Sequence, residues 1–220
     1  MRQPSFQPLK ATMLPTPLLS RMLIIDISAP SVDDWKDWMD STYKEDGWAR
    51  STYVFLKRFE AENYLIQVPR TPEGLDAYPV PRTWTALATL MANNISDSET
   101  MKGLVGEEVG IKFGAFLKVD VDLNELMREP QRFVDLNEDA RYMTALMLSS
   151  WIGDHLKKPE RAFPLIDVMS GESREYLLLT CLTISRRKLV LFLKNLFIHD
   201  AQYKDMLSEV ALKIRDEIAV

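Results

Sequence analysis

From Ser31 onward, apolar residues return at intervals of three and four, the period of an α-helix with one buried face. The first such stretch predicts a helix over 31–40. Ser31 stands as its N-cap, Asp33 and Asp34 lie in the first turn, and Val32, Trp35, Trp38 and Met39 form one apolar face. A second helix is expected over about 49–60, with Tyr53, Leu56 and Phe59 inward. Residues 68–81 read as a proline-rich loop, and a helix then opens at Pro81 and runs through Trp84, Leu87, Leu90 and Met91. Ser96 is expected to cap an acidic turn leading into a helix over 101–117, on which Gly106, Gly110 and Gly114 recur every four residues. Glycine costs up to ~1 kcal/mol per helix position relative to alanine, so a stripe of them predicts another backbone packed closely against it.

Beyond residue 120 the pattern predicts helices over 123–127, 138–157, 159–169 and 174–184, then a terminal stretch hinged at His199 and Asp200 into 186–197 and 201–218. The last two carry broad apolar faces: Leu189, Phe192, Leu193, Leu196 and Phe197 on one, and Tyr203, Met206, Leu207, Val210, Leu212 and Ile214 on the other. Such faces require cover, from each other or from a partner. Ahead of the helices, prolines 4, 8, 15 and 17 predict an extended arm, and the apolar run over 22–27 a short strand. The expected fold is therefore mainly α: an N-terminal extended arm or short strand over 1–29, a helical bundle over 30–120, and a C-terminal helical extension over 121–220.

Composition narrows the function classes. The chain has 220 residues, 46% of them hydrophobic, enough for a sizeable core. A net charge of −5 supplies no basic excess for general nucleic-acid binding. No apolar run approaches the ~20 residues of a membrane span, and with four prolines and no continuous apolar stretch in residues 1–20 no signal peptide is expected. With one cysteine, Cys181, no disulfide within the chain is possible, and two histidines, His155 and His199, do not make a structural zinc site. The expected location is cytoplasmic.

Little in the chain points to self-contained catalysis. The acidic pairs Asp33–Asp34 and Glu107–Glu108 are helix neighbours pointing about 100° apart, so neither converges on one substrate atom. No GxSxG nucleophile motif is present. The tryptophans at 35, 38, 84 and 151 fall in helical patterns that core packing explains, and the basic run 186–188 reads as a solvated helix start. The sharpest feature is residues 77–84, AYPVPRTW. Two prolines fix the backbone just ahead of Arg82, and a permanently charged guanidinium at a helix N-terminus suits phosphate recognition.

This element resembles the C-terminal lid region of MoxR-like AAA+ ATPases, in which a Pro-Arg pair at the start of a lid helix supplies the sensor 2 arginine. Residues 14–27, LPTPLLSRMLIIDI, are similar to the end of that family's ATPase core. Residues 30–40, PSVDDWKDWMD, resemble its first lid helix, and residues 103–117, GLVGEEVGIKFGAFL, its glycine-bearing lid helix. The resemblance covers roughly the first 120 residues. It implies that Arg82 is the sensor 2 residue, with Pro81 and Trp84 supporting it, and that Arg21 acts as an arginine finger in trans. No GxxxxGK[ST] phosphate loop occurs in the chain, so the resemblance places the core N-terminal to Met1. ATP would then bind only together with a core bearing that loop, and Mg only through that core.

By the resemblance, the chain is the nucleotide-sensing and oligomer-contact portion of a MoxR-like ATPase, a chaperone-like remodelling machine, and is not catalytic alone. Its implied partners are an AAA+ core in cis or trans, further copies of the chain and a protein client, with no nucleic acid and no membrane. The alternative is a stand-alone helical interaction module whose glycine stripe and C-terminal apolar faces bind a protein and which has no nucleotide role.

Overall fold

The computed structural model describes residues 21, 28–44, 46–69, 77–208 and 210. The arm over 1–20, the strand over 22–27 and the part of the last helix over 211–218, including Leu212 and Ile214, lie outside the described residues. The chain divides into two compact units, Met1–Pro30 and Ser31–Val220, and the division drawn from sequence at residue 120 falls inside the second. The fold is mainly α, with no strand among the described residues. None of the described helices is long and apolar enough to cross a membrane.

Helix α1 (Val32–Thr42) starts as its sequence requires. The Ser31 hydroxyl accepts from the Asp34 amide at 3.1 Å while the Asp34 carboxylate accepts from the Ser31 amide at 2.9 Å. This reciprocal box satisfies two amides that a helix start otherwise leaves bare. Val32, Trp35 and Met39 are buried as expected, but Trp38 is 48% exposed and rests edge-on against Tyr43. Trp38 lies on the flank of the apolar stripe, where Tyr43 covers it in part.

Helix α2 (Arg50–Arg58) is the centre of the unit. Its residues from Thr52 to Leu56 are all buried, so it is covered on every side and not only along the expected face. Phe55 is the hub, with its ring centroid 4.9–5.9 Å from those of Phe59, Tyr64, Trp84, Phe113 and Phe116. Such aromatic pairs each add about 0.5–1.5 kcal/mol beyond the area they bury.

Helix α3 spans Pro81–Ala92, α4 Ser98–Val105 and α5 Glu107–Phe116. Two expectations are corrected here. The cap is Asp97 and not Ser96: its carboxylate accepts from the Thr100 amide at 2.9 Å and the Thr100 hydroxyl at 2.7 Å. In place of the single helix expected over 101–117 there is a hairpin, because Gly106 takes φ +86° and ψ 158° and turns the chain between α4 and α5. The stripe's predicted close approach is met at Gly110, where a Cβ would lie 2.8 Å from the Lys102 backbone.

The later elements follow the sequence more closely. Helices α6 (Leu123–Arg128), α7 (Glu138–Asp154), α8 (Phe163–Glu172), α9 (Arg174–Thr183), α10 (Arg186–His199) and α11 (Gln202–Met206) form the rest of the unit. Among the described residues, short 3₁₀ turns at Glu60–Glu62, Pro130–Asp135 and Pro159–Ala162 fall between helices. Helix α7 packs on both α2 and α9. Arg58 ties α2 to α7 through Glu138 at 2.7 Å and Asp139 at 2.8 Å. The broad C-terminal faces are used internally: Leu189, Phe192, Leu193, Leu196, Tyr203, Leu207 and Val210 are all buried.

Candidate functional site

The chain enters the Arg82 helix along a segment held on three sides. Ala77 and Tyr78 lie against Gly106, whose Cα carries no side chain; a Cβ there would sit 2.8 Å from the Ala77 carbonyl oxygen. The Gln67 amide donates to the Pro79 carbonyl at 2.9 Å. The Thr83 hydroxyl accepts from the Val80 amide at 3.0 Å, and the Val80 carbonyl in turn accepts from the Thr83 and Trp84 amides at 3.0 and 3.1 Å. Val80 is extended and Pro81 takes the first helical position, where its missing N–H costs nothing.

The body of α3 is fastened by two indoles. Trp84 is fully buried and its Nε1 donates to the Tyr64 carbonyl at 2.7 Å. Its ring also meets Phe55 and Phe113. On the other side, Trp35 Nε1 donates to the Thr85 hydroxyl at 3.1 Å. A buried indole N–H that finds an acceptor fixes both orientation and depth. Arg82, between Pro81 and this fastened turn, is exposed and has no ion pair or hydrogen bond among the described residues. The structure thus places Pro81, Arg82 and Trp84 in one fastened helix start, with the Arg82 guanidinium unpaired among the described residues. Arg21 is exposed in a turn and belongs to the separate Met1–Pro30 unit.

The acidic pairs behave as their spacing implies. Asp34 serves the helix cap, whereas Asp33 accepts from Tyr53 Oη at 2.8 Å and pairs with Lys57 at 3.5 Å. Burial, with Asp33 beside it, pushes the Tyr53 phenol well above its ordinary range. Glu107 and Glu108 are exposed in the first turn of α5.

Two clefts open elsewhere. One, of about 450 Å³, is lined by Arg50, Lys188, Asp46, Asp154 and several hydroxyls, including Ser185 at the start of α10. The other, of about 460 Å³, has Leu178, Leu179 and Leu182 on one side and Asp33, Lys57 and Glu60 on the other. Neither contains Arg82. No cluster of metal-ligating side chains exists among the described residues.

Beside the first cleft is an ion network that was not singled out from sequence. Asp40 accepts from Lys36 Nζ at 2.9 Å and pairs with Arg50, whose guanidinium lies 4.0 Å from the Trp48 ring centroid. Burial alone would raise the Asp40 pKa, but Lys36 and Arg50 outweigh it and hold the carboxyl below the usual carboxylate range. The i, i+4 spacing of Lys36 and Asp40 was the available signal. Comparison with family models, curated proteins and solved structures gave no match for this chain.

Proposed function

We propose that the helical unit is a lid-type module that reads a nucleotide phosphate with Arg82 when it is joined to a core bearing a phosphate loop, as in the MoxR-like AAA+ ATPases that residues 77–84 resemble. The observation that carries this reading is the exposed, unpartnered guanidinium on a helix start fastened by Trp84 and Trp35. Among the described residues no carboxylate pairs with Arg82, so its charge is available to a ligand, and a planar guanidinium suits phosphate oxygens. In this role Arg82 would place positive charge against the terminal phosphate oxygens, adding to the helix N-terminus behind it. The chain contains no GxxxxGK[ST] motif, so the phosphate loop, the magnesium ion and the bond-breaking step belong to the core. Arg21 would complete the site of a neighbouring copy, which makes the working form an oligomer, and a cytoplasmic setting with a protein client accords with the same reading.

Non-hydrolysable ATP analogues are titrated against the chain alone and against the chain mixed with a phosphate-loop core from the same source. Binding is expected only in the mixture, weakened roughly 10–100-fold by Arg82→Ala, the worth of one charge-assisted contact. Unchanged affinity in that variant refutes the assignment. A second reading, a helical protein-interaction module without a nucleotide role, is favoured by the exposed Val190, Leu191 and Ile198 on α10, since the larger apolar faces are already covered.

A further inference from the structure

The segment that leads into Arg82 is held by contacts from its own helix and from outside it. Four residues before Arg82, the chain passes against the corner of the α4–α5 hairpin. There, Gly106 leaves the Ala77 carbonyl and the Tyr78 Cα only the space a missing side chain provides. On the opposite side the Thr83 hydroxyl holds the Val80 amide at 3.0 Å and reaches the Tyr78 carbonyl at 3.4 Å. The Gln67 amide closes the third side at Pro79. Gly106 itself sits at φ +86° and ψ 158°, a backbone region open to glycine and strained for any residue with a Cβ. Glycine here serves two demands at once, the hairpin corner and the passage of the 77–80 segment.

We propose that Gly106 and Thr83 are positioning residues, forming a clamp on residues 77–80 through which the α4–α5 hairpin sets the direction of Arg82. This rests on the lid reading only for its use; the clamp itself is a property of the fold. Its consequence is that any contact made to the hairpin is transmitted to the phosphate-reading arginine across a single turn of chain. Gly103, on the outer side of α4, has nothing within 4 Å of an added Cβ and lies outside the clamp.

The native cysteine favours a direct test, because Cys181 is fully buried and burial pushes its thiol up to about 12. A nitroxide attached to the full-length Arg82→Cys variant therefore reports on position 82 alone. Its electron paramagnetic resonance line shape is compared in three backgrounds: Gly106→Ala, Thr83→Val and the control Gly103→Ala. The clamp requires a shift toward faster label motion in the first two and none in the third. If Gly106→Ala does not fold, Thr83→Val decides, since it keeps the β-branched shape and removes only the hydroxyl. Line shapes in the clamp variants that match the control overturn the proposal.

A second arm uses the chain with native Arg82 and the nucleotide assay above. Each clamp variant is expected to weaken analogue binding, and adding Arg82→Ala to it is expected to cost less than Arg82→Ala costs alone. Full additivity overturns the positioning role. Should the label shift while no variant, Arg82→Ala included, affects nucleotide binding, the clamp stands and the lid reading is what fails.

Discussion

Replacing Gly110 by alanine tests how closely α4 and α5 meet. A Cβ at this position would lie 2.8 Å from both the Cα and the amide nitrogen of Lys102 and 3.0 Å from the carbonyl carbon of Met101. Carbon atoms in ordinary contact stand about 3.5–4.0 Å apart, so the helices must part by roughly 1 Å. These neighbours are backbone atoms and cannot swing aside as a side chain could. Overpacking of this kind costs about 1–3 kcal/mol, while alanine in place of glycine returns up to ~1 kcal/mol of helix propensity. The net expectation is a loss of about 1–2 kcal/mol. Gly103→Ala, three residues from the same corner but facing open space, keeps the propensity gain without the clash and should stabilise by up to ~1 kcal/mol. Gly114→Ala meets the Met101 sulfur at 3.7 Å, an ordinary contact, and should likewise stabilise by up to ~1 kcal/mol. In a unit of this size each kcal/mol moves Tm by about 2–4 °C, so Gly103→Ala and Gly110→Ala should melt at clearly separate temperatures. Urea unfolding with unchanged m values is the assay. A Gly110→Ala midpoint at or above that of Gly103→Ala would refute the close approach and, with it, the reason for this glycine.

Three further outcomes follow from the geometry. Asp40→Asn should lose about 3 kcal/mol at neutral pH, since it strips Lys36 and Arg50 of their shared partner, with Asp37 remaining to Lys36 at 3.4 Å. Because the folded Asp40 carboxyl binds its proton less tightly than the unfolded one, its contribution is complete above about pH 4 and fades as pH falls through the lower folded value. Urea midpoints followed into acid should therefore fall less steeply in Asp40→Asn than in the parent, and parallel profiles would contradict the network. Trp84→Phe leaves the Tyr64 carbonyl without its indole donor and should cost about 1–3 kcal/mol even where the smaller ring packs well; a loss near zero in chemical denaturation would show that the bond does not hold α3. Cys181 should resist a thiol reagent at pH 8 in the folded protein and react once the chain is unfolded, whereas rapid native labelling would place the thiol outside the core.

The helices were legible where one face decides their burial. Val32, Trp35 and Met39 on α1, and Leu189, Phe192, Leu193 and Leu196 on α10, are buried as their spacing predicts. The Ser31 cap was legible because serine three residues before an acid has one obvious use. The break at Gly106 was not, because GxxxGxxxG fits a continuous helix as well as a corner, and what decides between them is the Ala77 carbonyl, far along the chain. Ser96 and Asp97 are equally good caps one residue apart, and the choice falls to the register that buries Met101 and Val105. At the candidate site, Pro81 announced the helix start and a fixed arginine. The fastening was hidden, since the Trp35 to Thr85 bond joins residues 50 apart and neither side chain's orientation can be read from period alone.

Helix α2 also has a history during synthesis. Its contact with α7, marked by Arg58 and Asp139, closes a span of 81 residues, whereas the backbone approach of Lys102 to Gly110 closes only eight. The difference in loop-closure entropy is about 2 kcal/mol in favour of the short span, so the hairpin can form while α2 still waits for α7. At about 5–20 residues per second a ribosome needs about 4–16 s to deliver the missing stretch. For that interval a helix buried on all sides in the finished protein leaves the tunnel with one apolar side unfilled. The emerging chain thus carries part of its future core uncovered until the partner helix that hides it has been made.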